Sequence, residues 1–282
     1  MKKLSRTIRT ILAVLPALLI LACAGTTRPP EAGAPGTSDQ TYPIVYQGAP
    51  ERVDEVKALW TSMLKNQGNV VAPLPELQPV TLTIKDISSP GVLRLQRLGI
   101  NSKMTEDDIR ESLRRFLDTA RPLIGVEAQQ LSFVDKSGGI GSSQVATYEQ
   151  APFRFPLRNG FGVVRVGFTQ DLRIEEFSST CIPNLQGFQR SLTRIKTTIN
   201  AEQAVSIVQS STLEYSDAQG KHQITVAAPA SVSASQIILF PVRSPDNSSI
   251  ALHLAWEVKI GGVGVDRTAY VDAVNSEVLA TV

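Results

Sequence analysis

Residues 105–124 read TEDDIRESLRRFLDTARPLI, and this stretch, with the alternating segments after it, decides the fold. Ile109, Leu113, Phe116, Leu117 and Ala120 recur at helical spacing and make one apolar stripe. Thr105 with Asp108 three residues later approaches a capping box. Glu106, Asp107 and Asp108 sit in the first turn, where the helix dipole favours negative charge. Pro122 and Gly125 stop the helix. The period then changes. LSFVD, Gln144–Leu157, Phe161–Phe168 and Leu172–Ser178 alternate as strands, separated by the glycine-rich stretch 137–143, by Asn159-Gly160 and by Gln170-Asp171. A helix followed by an antiparallel meander is a unit that buries one face of its sheet.

The pattern recurs on both sides of this unit. Val53, Val56, Leu59, Trp60, Met63 and Leu64 predict a helix over 51–68, ending at Gly68, and Val80–Ile84 reads as a short strand. Asn200 caps a second helix through Ala201, Ala204, Val205, Ile207 and Val208. Short strands come next at about 222–227, 236–242, 250–260, 267–272 and 277–281. The fold class expected is α+β, with two helix-plus-antiparallel-meander units.

The N-terminus reads differently. Lys2, Lys3, Arg6 and Arg9 precede an uncharged run from Ile11 to Ala22, which ends in Ile20-Leu21-Ala22-Cys23. A basic start, a short apolar run and a small residue at the cut are the marks of a secretory signal. The run falls short of the roughly 20 residues a membrane-spanning helix needs. Its last four residues resemble the lipobox of bacterial lipoproteins. That resemblance implies cleavage before Cys23, acylation of its thiol and anchoring in the bilayer; Ala24, where retention in the inner membrane calls for Asp, implies the outer membrane. Several acyl chains, at about 0.8 kcal/mol per buried CH₂, hold far better than one. Residues 24–40, AGTTRPPEAGAPGTSDQ, contain no large apolar side chain and read as a flexible tether spanning roughly 20–25 Å. The domains expected are a signal peptide at 1–22, lipidated Cys23 and tether at 23–50, and folded units at 51–195 and 196–282.

Charge and cysteine count narrow the function. The chain has 28 basic and 26 acidic residues, and removing the four basic residues of the signal leaves 24 against 26. No basic block points to nucleic acid. Cys181 is the single cysteine left after Cys23, so no intramolecular disulfide is expected in the mature chain, and its thiol reads as a small apolar side chain. His222 and His253 stand 31 positions apart, without the His-Glu-x-x-His of a zinc protease helix, so neither a metal nor a cofactor is expected. No Gly-x-Ser-x-Gly elbow occurs, and the glycine-rich stretches 138–141 and 261–264 lack the Lys-Ser/Thr of a phosphate loop. Trp256 reads as core rather than as a binding aromatic.

Two longer stretches resemble known families. Residues 105–180, with Phe116-Leu117 at the end of the helix, are similar to the fungalysin/thermolysin propeptide motif. Residues 197–282 resemble the PepSY domain, through Ile199–Ala204, Leu254–Val258 and Ala269–Ala273 continuing to Glu277-Val278-Leu279. The resemblance implies a cystatin-like propeptide architecture and no catalytic residues. It also implies a role in binding, inhibiting or chaperoning an extracytoplasmic protein, with a metallopeptidase as one class of partner. Two departures stand out: Gln150-Ala151-Pro152-Phe153 only partly matches the Gln-x-Tyr hairpin of the motif, and the chain carries no peptidase sequence after the PepSY-like part. Leu279 and Val282, on the last strand, are the residues expected to meet a partner's sheet or cleft. A structural or assembly lipoprotein of the cell envelope is the alternative. A hydrolase using Cys181, His222 or His253 is the third reading, and the residue pattern favours it least.

Cells fed labelled palmitate are expected to label the protein, and Cys23→Ser to remove the label. An equally labelled Cys23→Ser chain would refute the lipid anchor.

Overall fold

The computed structural model describes residues 42–68, 71–98, 104–138, 143–150, 154–226, 231–262 and 266–282. Cys23, the signal and most of the tether lie outside the described residues. The fold class is α+β, as the alternation of helical and period-two patterns requires.

The first unit is built on the quoted stretch. Helix α1 is Arg52–Asn66 and helix α2 is Glu106–Thr119. Thr105 and Asp108 form the reciprocal capping box, each side chain accepting from the other's backbone N–H. Ala120 ends α2, and a single turn, α3 (Arg121–Ile124), closes on Gly125 in the left-handed conformation. Short strands β2 (Glu76–Leu77) and β3 (Ile84–Asp86) precede α2. Strands β4 (Leu131–Ser137), β5 (Gln144–Gln150), β6 (Val163–Phe168) and β7 (Ile174–Ser179) form an antiparallel sheet in chain order. Its inner face, with Ala146, Val164, Val166, Phe168 and Phe177, closes over Trp60 of α1, Leu113, Phe116 and Leu117 of α2, and Leu123 of α3. Phe116 and Phe177 meet edge to face at 5.0 Å.

The second unit comes after a short helix α4 (Gln189–Arg194) and begins with helix α5 (Ala201–Ser210), capped by Asn200 with a full capping box to Gln203. Hairpin β8 (Thr212–Asp217) and β9 (Gly220–Thr225) is next. Long strands β10 (Ser231–Arg243) and β11 (Ser249–Gly261) pair with each other, and β12 (Arg267–Asp272) and β13 (Val278–Thr281) extend the sheet from β11. One face of this sheet packs Val258, Ile260, Ala269 and Val271 against Ala204 and Val208 of α5 and Leu213 and Val226 of the hairpin.

Three expectations need correction. The tether assigned to 23–50 ends earlier, because Ile44–Gln47 is strand β1, paired antiparallel with β11. Its alternating burial shows why: Ile44 and Tyr46 face the core, Val45 and Gln47 do not. Val80–Ile84 is not one strand. Leu82 takes φ +55, its N–H donates to Gln78 O, and the chain reverses there before β3. Asn159-Gly160 does turn, with both residues at positive φ, but it does not join β5 to β6 directly. Those strands end at Gln150 and start at Val163, and the turn is the tip of an excursion that reaches β10.

That excursion, with β1 and the 182–192 segment, ties the two halves together. Ile44, Tyr46, Val80, Phe155, Ile182, Leu185 and Leu192 share one apolar cluster with Leu239, Leu252 and Leu254. Residues assigned to separate domains at 195/196 therefore share a core, and Thr41–Val282 forms one compact unit. At the entry to this seam a Cβ on Gly48 would lie 2.1 Å from Val80 O, so only glycine lets the two backbones approach.

Phe177→Ala removes a side chain with no exposure and is expected to cost about 3–5 kcal/mol in urea unfolding. Phe133→Ala, on a half-exposed ring of β4, is expected to cost no more than about 1 kcal/mol.

Candidate functional site at the C-terminal sheet

Strand β11 is the spine of the sheet. It carries β10 along one edge, so β1 and β12 must lie end to end along the other. Between them Leu254 has no strand opposite it. Tyr42 fills the gap: its hydroxyl accepts the Leu254 N–H at 2.9 Å and donates to the Asp272 carboxylate at 2.9 Å. The Leu254 carbonyl accepts from Ala273 N–H.

Asp272 has no exposed surface. It ends β12 and takes the N–H groups of Val274 and Asn275 on one oxygen, each at 2.8 Å, and His253 Nδ1 on the other at 2.7 Å. Burial by itself would raise its pKa. The hydrogen bonds from His253, Asn275, Val274 and Tyr42 outweigh it and hold the carboxyl below the ordinary value. An ionised carboxylate only accepts, so His253 carries its proton on Nδ1. Burial first, and then the Asp272 charge, push the Tyr42 phenol well up. The imidazole–carboxylate pair matches the base-and-orienter half of a catalytic triad. Among the described residues, however, no hydroxyl or thiol bonds the free imidazole nitrogen, and the pair holds β1, β11 and the β12–β13 turn together.

The same face of the sheet carries a second polar cluster. Glu257 accepts from Arg158 Nε at 3.0 Å, from Ser235 Oγ at 3.0 Å and from Gln236 Nε2 at 3.3 Å. Ser235 and Gln236 form the irregularity in β10 between Ala234 and Ile237. A bulge adds a residue to one strand, and here it brings two polar side chains to a buried acid. Burial opposes the charged form of Glu257, but Arg158, Gln236 and Ser235 outweigh it and lower its pKa. Asn159 donates to Pro241 O at 2.8 Å, so the tip of the excursion is fixed to β10 on two sides. Between the polar clusters lie Ile238, Phe240, Ala255 and Tyr270, with Phe240 and Tyr270 4.6 Å apart.

The residues singled out by sequence fall in separate places. Leu279 is half-buried and extends the Phe240–Tyr270 cluster to the edge strand β13; Val282 beyond it is 60% exposed. The Val282 backbone exchanges both hydrogen bonds with Thr268. Cys181 is fully buried in the first core, and burial pushes its thiol up to about 12. Trp256 is partly buried and donates to Ile199 O, bridging two clusters. His222 stacks on Tyr215 in the β8–β9 hairpin and bonds Asp217 at 3.0 Å. Cys181, His222 and His253 are thus not brought together. Tyr42, Asp272, Arg158 and Glu257 were not singled out by sequence. Glu257 and Asp272 lie inside the stretches that resemble the PepSY domain, and Asp272 also ends an alternating run just before a turn, but neither was assigned a role.

No family model matches the sequence, and no curated protein matches it. Among solved structures, the C-terminal domain of Bacillus megaterium YpeB is similar over 84% of this chain and 98% of its own, at 13% identity and a TM-score of 0.34.

Tyr42→Phe leaves the Leu254 N–H without its acceptor and is expected to cost about 1–3 kcal/mol. Asp272 has a lowered pKa when folded, so its contribution is full above the unfolded value of about 4 and disappears as pH falls through the folded value. Thermal melts across this acid range are therefore expected to lose part of their pH dependence in Asp272→Asn, along with stability at neutral pH.

Proposed function

We propose that this chain is a membrane-anchored binding lipoprotein with no catalysis of its own. Acylated Cys23 holds it at the bacterial outer membrane, and a propeptide-like and PepSY-like module binds another extracytoplasmic protein, inhibiting it or assisting its folding. A secreted metallopeptidase is the first class of partner to test.

The observation that carries this reading is the character of β13. Edge strands are normally blunted by charge, proline or a bulge. The edge strand β4 of the other sheet obeys the rule, with Asp135, Lys136 and a register shift after Phe133. The stretch Val278–Val282 reads VLATV, with neither charge nor proline; its register with β12 shifts once, at Leu279, and the β8–β9 hairpin packs beside it without joining its ladder. The apolar row from Phe240 through Tyr270 to Leu279 runs out to this strand, and Val282 is exposed at its end. A partner strand or a cleft that takes an extended chain fits such an edge. The stretches resembling the PepSY domain support the same reading, since they coincide with the cap of α5, the centre of β11 and the β12–β13 hairpin.

Mixing the purified protein with secreted metallopeptidases of its own organism is expected to lower the activity or raise the refolding yield of at least one of them. Val282→Asp and Leu279→Glu are each expected to weaken that complex about tenfold or more. Absence of any complex and of any effect across those enzymes would count against the reading.

A further inference from the structure

A groove of about 810 Å³ lies away from the β13 edge, within the size range of ligand sites. Its walls come from β1 (Tyr46, Gln47), α1 (Arg52), α3 (Arg121), the turn after α3 and the 183–188 turn (Asn184, Phe188). These elements are far apart in sequence, and the seam between the two halves brings them together.

Strand β1 borders this groove with an unpaired edge. The peptide groups of Leu254 point towards the β1–β12 side of β11, where Tyr42 and Ala273 bond them. Leu252 and Ile250, two and four residues earlier, point the same way. Their register partners Ile44 and Tyr46 therefore carry the ladder, and Val45 and Gln47 turn their peptide groups outward. Among the described residues no hydrogen bond reaches those outward groups. Val45 is half-exposed.

The groove is lined by two cations, Arg52 and Arg121, and two acids, Glu55 and Glu127, so it suits an extended peptide with a single acidic side chain placed on Arg52. Gln47, Asn184 and Gln186 offer paired amide donors and acceptors of the kind that bond peptide groups, while Gln130 Oε1 already accepts from Glu127 N–H. Arg52 uses one of its five donors, Nη2 to Pro122 O at 2.8 Å, and no carboxylate pairs with it among the described residues. Arg121, by contrast, is paired with Glu127 at 3.1 Å. Burial raises the pKa of the Tyr46 phenol and the nearby Arg52 charge works against it; the ring meets Phe188 edge to face and its hydroxyl bonds no described residue. One unpaired guanidinium and one unbonded phenol form a receptor for a carboxylate.

We infer that this groove binds an extended segment of another protein, added as a strand to β1 through Val45 and Gln47, with an acidic side chain of the segment on Arg52. The interaction is separate from the one assigned to β13, and either stands without the other.

The test is selection on the full-length protein from a phage-displayed library of random short peptides, followed by affinity measurement with the selected peptides. Selected sequences are expected to be rich in β-branched residues and to carry Asp or Glu. Arg52→Gln is expected to weaken them about tenfold or more. Val45→Pro is expected to do the same, because it removes only an outward N–H and proline is tolerated at such an edge position. Leu279→Glu is expected to leave them unchanged. Should Val45→Pro fail to fold, slowed hydrogen exchange of the Gln47 N–H on adding peptide to the unaltered protein serves in its place. No enrichment over a bare surface, full affinity in Arg52→Gln, or an unprotected Gln47 N–H overturns the proposal. Binding that appears only after residues 24–40 are deleted also overturns it, since the chain's own tether would then be the occupant.

Discussion

Asp272 is a carboxylate with no contact with water, and the arrangement of the C-terminal sheet depends on how it is satisfied. A buried charge is tolerated only when its lone pairs are filled. Two backbone N–H groups of the β12–β13 turn, an imidazole from β11 and a phenol from the residue two positions before β1 fill them. The same phenol caps the one N–H that β11 leaves open between β1 and β12. One acid thus fixes a turn, the protonated nitrogen of a histidine and the entry of the N-terminal chain into a sheet whose other strands lie far along the sequence.

The join between the halves uses the same physics a second time. The excursion around Asn159-Gly160 carries Arg158 to Glu257, and the bulge in β10 supplies Ser235 and Gln236. Beside these polar contacts lies the Phe240–Tyr270 cluster, which buries most of Glu257, and the burial strengthens its charge-assisted bond. The groove beside β1 is walled by residues 46–188, and β1 is held at its rim by pairing with β11.

The edges at β13 and β1 differ in what they offer. β13 is apolar and ends an aromatic row, so it suits a partner that buries hydrophobic surface. β1 borders amides and an unpaired guanidinium, so it suits a chain that brings peptide groups and negative charge. Neither strand carries a charged residue or a proline, two of the devices that blunt an edge, and β13 has only the register shift at Leu279.

The sequence by itself determined the local elements. Capping at Thr105 and Asn200, the helical stripe through Phe116-Leu117 and the alternating runs of both meanders are one-dimensional patterns, and the structure repeats them. The burial of Cys181 as a small apolar side chain was also legible. The sequence misplaced Ile44–Gln47 because four residues carry too little periodicity to outweigh a proline- and glycine-rich neighbourhood. It misread Val80–Ile84 because the reversal is made at Leu82, a residue that rarely takes a left-handed φ, by local backbone bonds between Gln78 and Leu82–Thr83, with Thr83 Oγ1 donating to Ser179 O. Tyr42, His253 and Asp272 carry no shared spacing, and neither do Arg158 and Glu257, 99 positions apart. Only the tertiary structure decided those pairings, because burial of charge and completion of a strand edge depend on which segments meet in space, and no local period records that.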